Sequence, residues 1–548
     1  MVKDLFKKGI GAITSRQTSI FSAALFIVIT SAFGSFLGIF KYRIFTTVYG
    51  DSLPELGIFF AAFKIPDFIF QVFIASALTS AFIPIFSDFL EKDRKDANKF
   101  VSSVMTLGTI FYIVAAGVIA IFAEPIVSKI AVGFNPEQLS LMVHLTRIIL
   151  FSQVFFILGM VSTGVLQTLE HFLYPGIALA LYNVGIIIGT LAFGERFGIY
   201  GAVIGVFIGA ALFFIFQIPL LKKYGFQYSF TLAISEGVKA VGKLMLPRAL
   251  TVLLMQISII ANVFFILFIS AESMVFYELA FTIMYAPVNL FGLSIAQASF
   301  PTLAKKVRDR EGFIEIFVAS FNQILYLTLP MSVLLIVLRI PIVRLFYGAK
   351  DFSWEATVMT GMTLAILSVS LATQALTLIL TRAFFALKDT KTPFVITAVS
   401  IALHIGLSLL FVIILKKPVY FLALSLSISN IVTAILLTVA LHVKIHLPKL
   451  NMTISVVKIL VATLIMGFSL YIPIKLLDQL VFDTTRTINL IILTGISSFL
   501  GLLSFLFFTW LLEIREAYYI LAVVKKFSSR TPILRTIGEL IDGTRINT

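Results

Sequence analysis

Cysteine is absent from all 548 residues, which excludes disulfides, thiolate metal sites and cysteine nucleophiles. Charge is scarce as well: 13% of the residues are Asp, Glu, Lys or Arg, against 59% hydrophobic, and the mean hydropathy is +1.05. An ordinary soluble domain carries about a quarter of its residues as charges, so a soluble protein is excluded. The histidines are few and scattered. Only His442 and His446 stand at helical spacing, beside Lys444, and that pattern reads as a solvated helix end rather than a metal site. No glycine-rich loop ends in Gly-Lys-Ser/Thr, so ATP hydrolysis by this chain is not expected. Nothing in the sequence points to an enzyme, a metal or a cofactor.

What is present is apolar sequence in long runs. Stretches of about 20 residues recur along the chain, each long enough to cross a hydrocarbon core of ~30 Å as a helix. A backbone in lipid must satisfy its own hydrogen bonds, which makes these stretches helices. The expected fold is therefore an all-α polytopic membrane protein of about fourteen spans. They fall near 18–40, 57–87, 100–123, 139–168, 172–193, 198–221, 241–270, 273–301, 313–347, 356–387, 393–415, 418–442, 453–474 and 487–513. The formal net charge of +15 has no basic domain to reside in, so it is expected to set topology and touch anionic lipid, not nucleic acid. With the N-terminus in the cytoplasm, the loops on that side hold 25 Lys or Arg and the opposite loops no more than ten. Both termini are thus expected to be cytoplasmic. Residues 1–17 place Val2, Leu5, Phe6 and Ile10 against Lys3, Lys7 and Lys8, the pattern of a basic helix on the membrane surface. Residues 514–548 read as a similar cytoplasmic amphipathic tail.

The chain also writes one membrane segment twice. Pro66 is followed by Ile74-Ala75 and Ala77, and Pro287 at the same offsets by Ile295-Ala296 and Ala298. A second pair of corners ends at Pro175 and Pro393. The offsets, 287 − 66 = 221 and 393 − 175 = 218, share one register. Two pseudo-symmetric six-helix lobes follow, an N-lobe over 18–221 and a C-lobe over 241–442, joined by a cytoplasmic linker at 222–240. The last two spans, within 443–513, fall outside the repeat. Duplicated bundles with interrupted helices are how many transporters build a cavity that opens to each side in turn, and Pro66 and Pro287 are the expected hinges. In span six, Gly201, Gly205 and Gly209 recur every four residues, which lets another helix approach closely.

Ionisable residues inside the spans are informative, because each costs ~3 kcal/mol or more at mid-bilayer on insertion scales. Lys64 and Asp67 flank Pro66, Arg147 lies deep in the fourth span, Arg248 follows Pro247, Glu278 stands alone in the eighth, and Lys41 sits just past the first. Lys64 and Asp67, three apart, could neutralise each other; Glu278 could hold a proton or cation, or pair with a base such as Arg248. Lys243 and Arg382 lie near helix ends and are expected to snorkel. The corner from Lys388 to Pro393 reads as a structural turn. Cations outnumber acids in this set, which fits an anionic, phosphate-bearing lipid substrate.

The motifs "LGIFKYRIFTTVYG", "AAFKIPDFIFQVFIASALTSAFIPIFSDF", "MLPRALTVLLMQISIIANVFF", "PVNLFGLSIAQASFPTLAK" and "RAFFALKDTKTPFVITAV" together resemble the MurJ/MviN lipid II flippase family of the multidrug/oligosaccharidyl-lipid/polysaccharide exporter superfamily. The likeness is colinear over about 20–440. It implies a flippase in the bacterial cytoplasmic membrane that carries undecaprenyl-pyrophosphate-linked peptidoglycan precursor to the outer leaflet by alternating access. It implies membrane potential or a monovalent cation gradient as the driving force, a lipid-tail groove built by the two spans of 443–513, and envelope-synthesis enzymes as possible partners. In that frame Lys41 and Lys64 are expected to bind the pyrophosphate, with Arg248 facing them and Arg147 in support. The sequence departs from the family where cavity arginines are usual: Ser35, Phe70, Gln71 and Thr282 stand there, and Lys41 keeps one basic position as lysine. Those departures keep two alternatives open, an exporter of another polyprenyl-linked glycan and a degenerate transporter acting as a membrane scaffold.

Overall fold

The computed structural model describes residues 20–76, 78–349, 351–480 and 487–518. Among them there are helices and loops and no strand. The helices that matter for the site are α1 (Ile20–Val48), α2 (Leu53–Ile69), α3 (Arg94–Ile121), α4 (Pro136–Thr168), α5 (Leu173–Phe197), α6 (Tyr200–Ile215), α7 (Glu236–Ile269), α8 (Ala271–Pro287) and α9 (Arg310–Val337). Their starts are written locally. Asp93, Asn135, Ser235 and Asp309 each accept a backbone N–H of the first turn of α3, α4, α7 and α9, satisfying donors that a helix start leaves bare.

Twelve helical stretches among the described residues are long and apolar enough to cross a membrane, or thirteen if the pair Trp354–Val369 and Leu371–Ala386, bent by 41°, forms one span. The remaining expected span, 18–40, falls on α1, whose side chains before Thr30 lie outside the described residues, so this measure does not reach fourteen. The expected surface helices at 1–17 and 514–548 also lie outside them, apart from 514–518.

The chain divides into two compact units, each described by itself. The first comprises Met1–Ile283, Phe346–Thr363 and Ala398–Ser429. Within it, glycine packs on glycine. A Cβ on Gly189 of α5 would stand 2.1 Å from Gly205 Cα of α6, and one on Gly185 would stand 2.3 Å from Gly209. Lipid offers helices no hydrophobic reason to associate, so close backbone approach and its dispersion gain hold such a pair. The glycines of span six are therefore a packing seam. A second close approach joins α2 to α8, where a Cβ on Gly57 would lie 1.9 Å from the Ala271 carbonyl oxygen.

The second unit comprises Met284–Leu345, Leu364–Thr397 and Asn430–Thr548. Side-chain hydrogen bonds tie its helices: the Tyr326 and Thr509 hydroxyls lie 3.1 Å apart, and Ser469 donates to Ser504 at 2.9 Å. Arg382 does not simply snorkel. Its Nη1 donates to the Leu293 carbonyl at 3.2 Å, at the end of the π-helical segment that follows Pro287.

The sequence repeat is a backbone repeat. Proline removes a donor and leaves the carbonyl one turn earlier without its helical partner. After Pro66 the chain winds as a π-helix over Phe70–Ala75, and after Pro287 it does so over Val288–Leu293. The corners match more closely still. Glu170 has φ +65° and Lys388 φ +58°. In the first corner His171 N–H bonds to Leu166 O and Glu170 N–H to Gln167 O; in the second Asp389 N–H bonds to Phe384 O and Lys388 N–H to Phe385 O. This is one helix-ending motif drawn twice, 218 residues apart.

Candidate functional site

Lys64 and Glu278 meet because of the seam that Gly57 opens. Each lies seven residues, about two helical turns, beyond its helix's point of closest approach, Gly57 on α2 and Ala271 on α8. The two side chains therefore fall on the same seam. Lys64 Nζ donates to both carboxylate oxygens of Glu278 at 3.0 Å, and the two side chains are 23% and 20% exposed. Each charge alone would be costly at this depth, and removing either strands the other.

Aromatic side chains wall the pair. The Tyr42 hydroxyl, from α1, reaches Glu278 Oε1 at 3.4 Å. Its ring stands edge-on to Phe45, Phe60 and Tyr347 at 5.5–6.4 Å, an arrangement that aromatic quadrupoles favour. Tyr347 is itself fixed: its hydroxyl donates to Leu279 O at 3.2 Å, and its carbonyl accepts from Thr46 Oγ1 at 2.9 Å. On α8, Thr282 Oγ1 donates to the Glu278 carbonyl at 2.8 Å.

The remaining sequence candidates divide into two groups. Lys41 joins the cluster, its Nζ 5.0 Å from the centre of the Tyr42 ring and within electrostatic reach of Glu278 and Lys64. Asp67 lies one turn past Lys64 and accepts from Gln71 Nε2 at 3.3 Å; the partner that the geometry gives Lys64 is Glu278. Pro66 is buried between them in sequence, and Pro287 is buried at the end of α8. Arg147 is engaged elsewhere. Its Nε donates to the Ala120 carbonyl at 2.9 Å, near the end of α3, where bare carbonyls favour a cation. Arg248 is exposed on α7. Tyr42 and Tyr347 did not stand out in the sequence.

An ion pair on a seam of a many-span helical protein, carried by two helices that each contain a proline and run on into π-winding, has the architecture of a membrane transporter. An inward-facing structure of a multidrug resistance MATE family transporter of the MOP superfamily shares the fold, with TM-score 0.62 and 16% identity over 75% of this chain and 94% of that one. Closer likeness narrows the class: the family model described as lipid II flippase MurJ matches residues 46–527, and this chain belongs to that family. It is 29% identical over 413 residues to the lipid II flippase MurJ of Thermosipho africanus, covering 75% of this chain and 84% of that protein. A probable lipid II flippase MurJ of Bdellovibrio bacteriovorus is 30% identical over 362 residues, 64% of this chain and 68% of that protein. A solved lipid II flippase MurJ in an inward closed conformation superposes with TM-score 0.75 at 27% identity, over 88% of this chain and 98% of that chain.

Proposed function

We propose that this protein is a lipid II flippase, moving undecaprenyl-pyrophosphate-linked peptidoglycan precursor from the inner to the outer leaflet of the cytoplasmic membrane. The observation that carries the reading is the family match over residues 46–527. The charge cluster supports it, because Lys41 and Lys64 stand together inside a helical membrane protein, and a pyrophosphate is the kind of anion that two ammonium groups hold. In this reading Lys41 and Lys64 bind the pyrophosphate, and Arg248 approaches it from α7. Lysine offers a compact point charge where arginine offers a two-pronged fork, so capture here relies on charge more than on fixed geometry.

The cycle is one of alternating access, a reading supported by the duplicated proline-bearing helices, with Pro66 and Pro287 allowing the bend. Membrane potential or a monovalent cation gradient drives the cycle, and both termini face the cytoplasm. The test is complementation in cells depleted of their own lipid II flippase, with surface exposure of labelled lipid II as the readout. Rescue is expected, lost when Lys41→Ala and Lys64→Ala are combined. A second reading has one observation in its favour: Ser35, Gln71 and Thr282 stand where the resemblance leads one to expect arginine. A folded, inserted chain that fails to rescue would favour this second reading, an exporter of another polyprenyl-linked glycan.

A further inference from the structure

An anion that approaches Lys64 finds a carboxylate already there. Both Glu278 oxygens lie 3.0 Å from Lys64 Nζ, and the Tyr42 hydroxyl reaches one of them. The charged and titratable groups around Glu278 are Lys64 and Asp67 on α2, Lys41 and Tyr42 on α1, Tyr277 on its own helix and Tyr347 of the helix Arg339–Tyr347. Thr282, one turn further along α8, brings no charge and spends its hydroxyl on the Glu278 backbone carbonyl. The carboxylate is therefore balanced from the facing helices, above all by Lys64, and the same ammonium is the first candidate to hold a phosphate.

We propose that Glu278 is an internal stand-in for the substrate's phosphate, released from Lys64 when the anionic lipid binds, and that its release is coupled to uptake of one proton. The proposal rests on reading this site as the pyrophosphate site of a lipid flippase. The exchange balances. The phosphate oxygens take the donors of Lys64 and Lys41; the freed carboxylate faces Tyr42 and Tyr347 with Asp67 close by, and takes up a hydronium proton from bulk solution to become a neutral acid. An unpaired carboxylate in an apolar wall is strongly disfavoured, and a neutral acid can still accept from Tyr42. A doubly esterified pyrophosphate has no ionisation near neutral pH, so the proton belongs to the protein. Glu278 also acts as a filter: a neutral or weakly charged lipid cannot displace it.

The experiment is calorimetric titration of the purified full-length protein with lipid II at pH 7, in buffers of different ionisation enthalpy, which counts protons directly. The wild-type chain is expected to take up about one proton per lipid bound, and E278Q none. E278Q is also expected to bind lipid II more tightly at pH 7, with affinity flat between pH 6 and 8. Wild-type affinity should weaken by up to about tenfold per pH unit over that range. Proton uptake near zero in the wild type overturns the proposal without any variant, as does uptake by E278Q equal to that of the wild type. The outcomes separate this proposal from the reading beneath it. Lipid II binding without proton uptake overturns the role of Glu278 and leaves the flippase reading standing. No lipid II binding, with proton-coupled binding of another polyprenyl-pyrophosphate glycan, overturns the lipid II assignment and supports Glu278. Failure to bind either lipid overturns both.

Discussion

The two copies of the proline-bearing helix share a change from α- to π-winding and differ in chemistry. A shift of 221 residues carries Pro66 onto Pro287, and both are followed by π-helical winding. The same shift carries Lys64 onto Tyr285, Asp67 onto Val288 and Gly57 onto Glu278. The first copy thus supplies one cation, Lys64, with an acid, Asp67, and a glycine for close approach; at the matching positions the second supplies an acid, Glu278, and no base. Duplication preserved the proline and the π-winding after it, and divergence gave the two copies different side chains around it. Lys64 and Glu278 are not equivalents of one another in the repeat, yet the Gly57–Ala271 contact puts them on one seam.

The hardest way to break this comparison is to remove its geometric cause. Gly57→Leu drives a side chain into the Ala271 carbonyl, which is backbone and cannot yield. Overpacking of this kind costs about 3 kcal/mol or more, and loss of the folded, monodisperse protein is expected by size-exclusion chromatography in detergent. Gly108→Leu, at a helical glycine with open space around its Cβ position, should behave like the wild type. If both variants fold equally well, the seam is not what aligns the pair.

A thermodynamic cycle sharpens the pairing itself. Lys64→Ala leaves Glu278 without its cation and is expected to destabilise the protein by about 1–3 kcal/mol, below the range for fully buried pairs because both side chains are partly exposed. Combining it with Glu278→Ala should recover most of that loss in thermal melts. Transport should follow the opposite rule, with lipid II exposure lost in both the single and the double variant. Recovery of transport along with stability would show that Lys64 serves only to neutralise Glu278.

The repeat was legible in the sequence because proline, glycine and turn residues act on the backbone they belong to. Pro66 and Pro287, and the corners ending at Pro175 and Pro393, state their register in one dimension. The glycines of span six were legible too, although their partners, Gly185 and Gly189, were not named by spacing alone. The site was legible only as a set of costly charges. Lys64 had Asp67 three residues away as an obvious mate, and Glu278 had Arg248 as a nominal one; the distance across 214 residues depends on a glycine contact that no local pattern announces. Arg147 shows the limit from the other side. Its depth in α4 required a partner, and that partner is a helix-end carbonyl, which carries no side-chain signature.

A smaller effect separates the two hinges. Replacing either proline by alanine restores a backbone donor, so Pro66→Ala and Pro287→Ala should each leave the protein at least as stable and slow lipid II exposure by about tenfold, equivalent to about 1.4 kcal/mol of barrier. Equal slowing would place the hinge in the shared backbone. Slowing by Pro66→Ala alone would place it with Lys64 and Asp67, which flank only the first proline.

The smallest effect lies at the corners, where one motif carries two chemistries. The 218-residue shift sets Asp389 on His171. Asp389 accepts from Lys444 Nζ at 2.7 Å, from Thr392 N–H at 3.0 Å and from the Thr392 hydroxyl at 2.8 Å, and these donors, Lys444 first, hold its carboxyl well below the usual carboxylate range. A depressed acid stabilises the fold above its unfolded pKa of about 4 and loses that contribution as pH falls from there toward the folded value. Asp389→Asn should therefore lower stability by about 1 kcal/mol or less at neutral pH, the range of solvent-facing ion pairs, with the deficit constant from pH 8 to 5. Below about pH 4 the wild type should fall toward the variant, and melts across that range will show whether this corner responds to acid. A deficit that stays constant down to pH 3 would mean that the charge of Asp389, and with it Lys444, adds nothing to the turn.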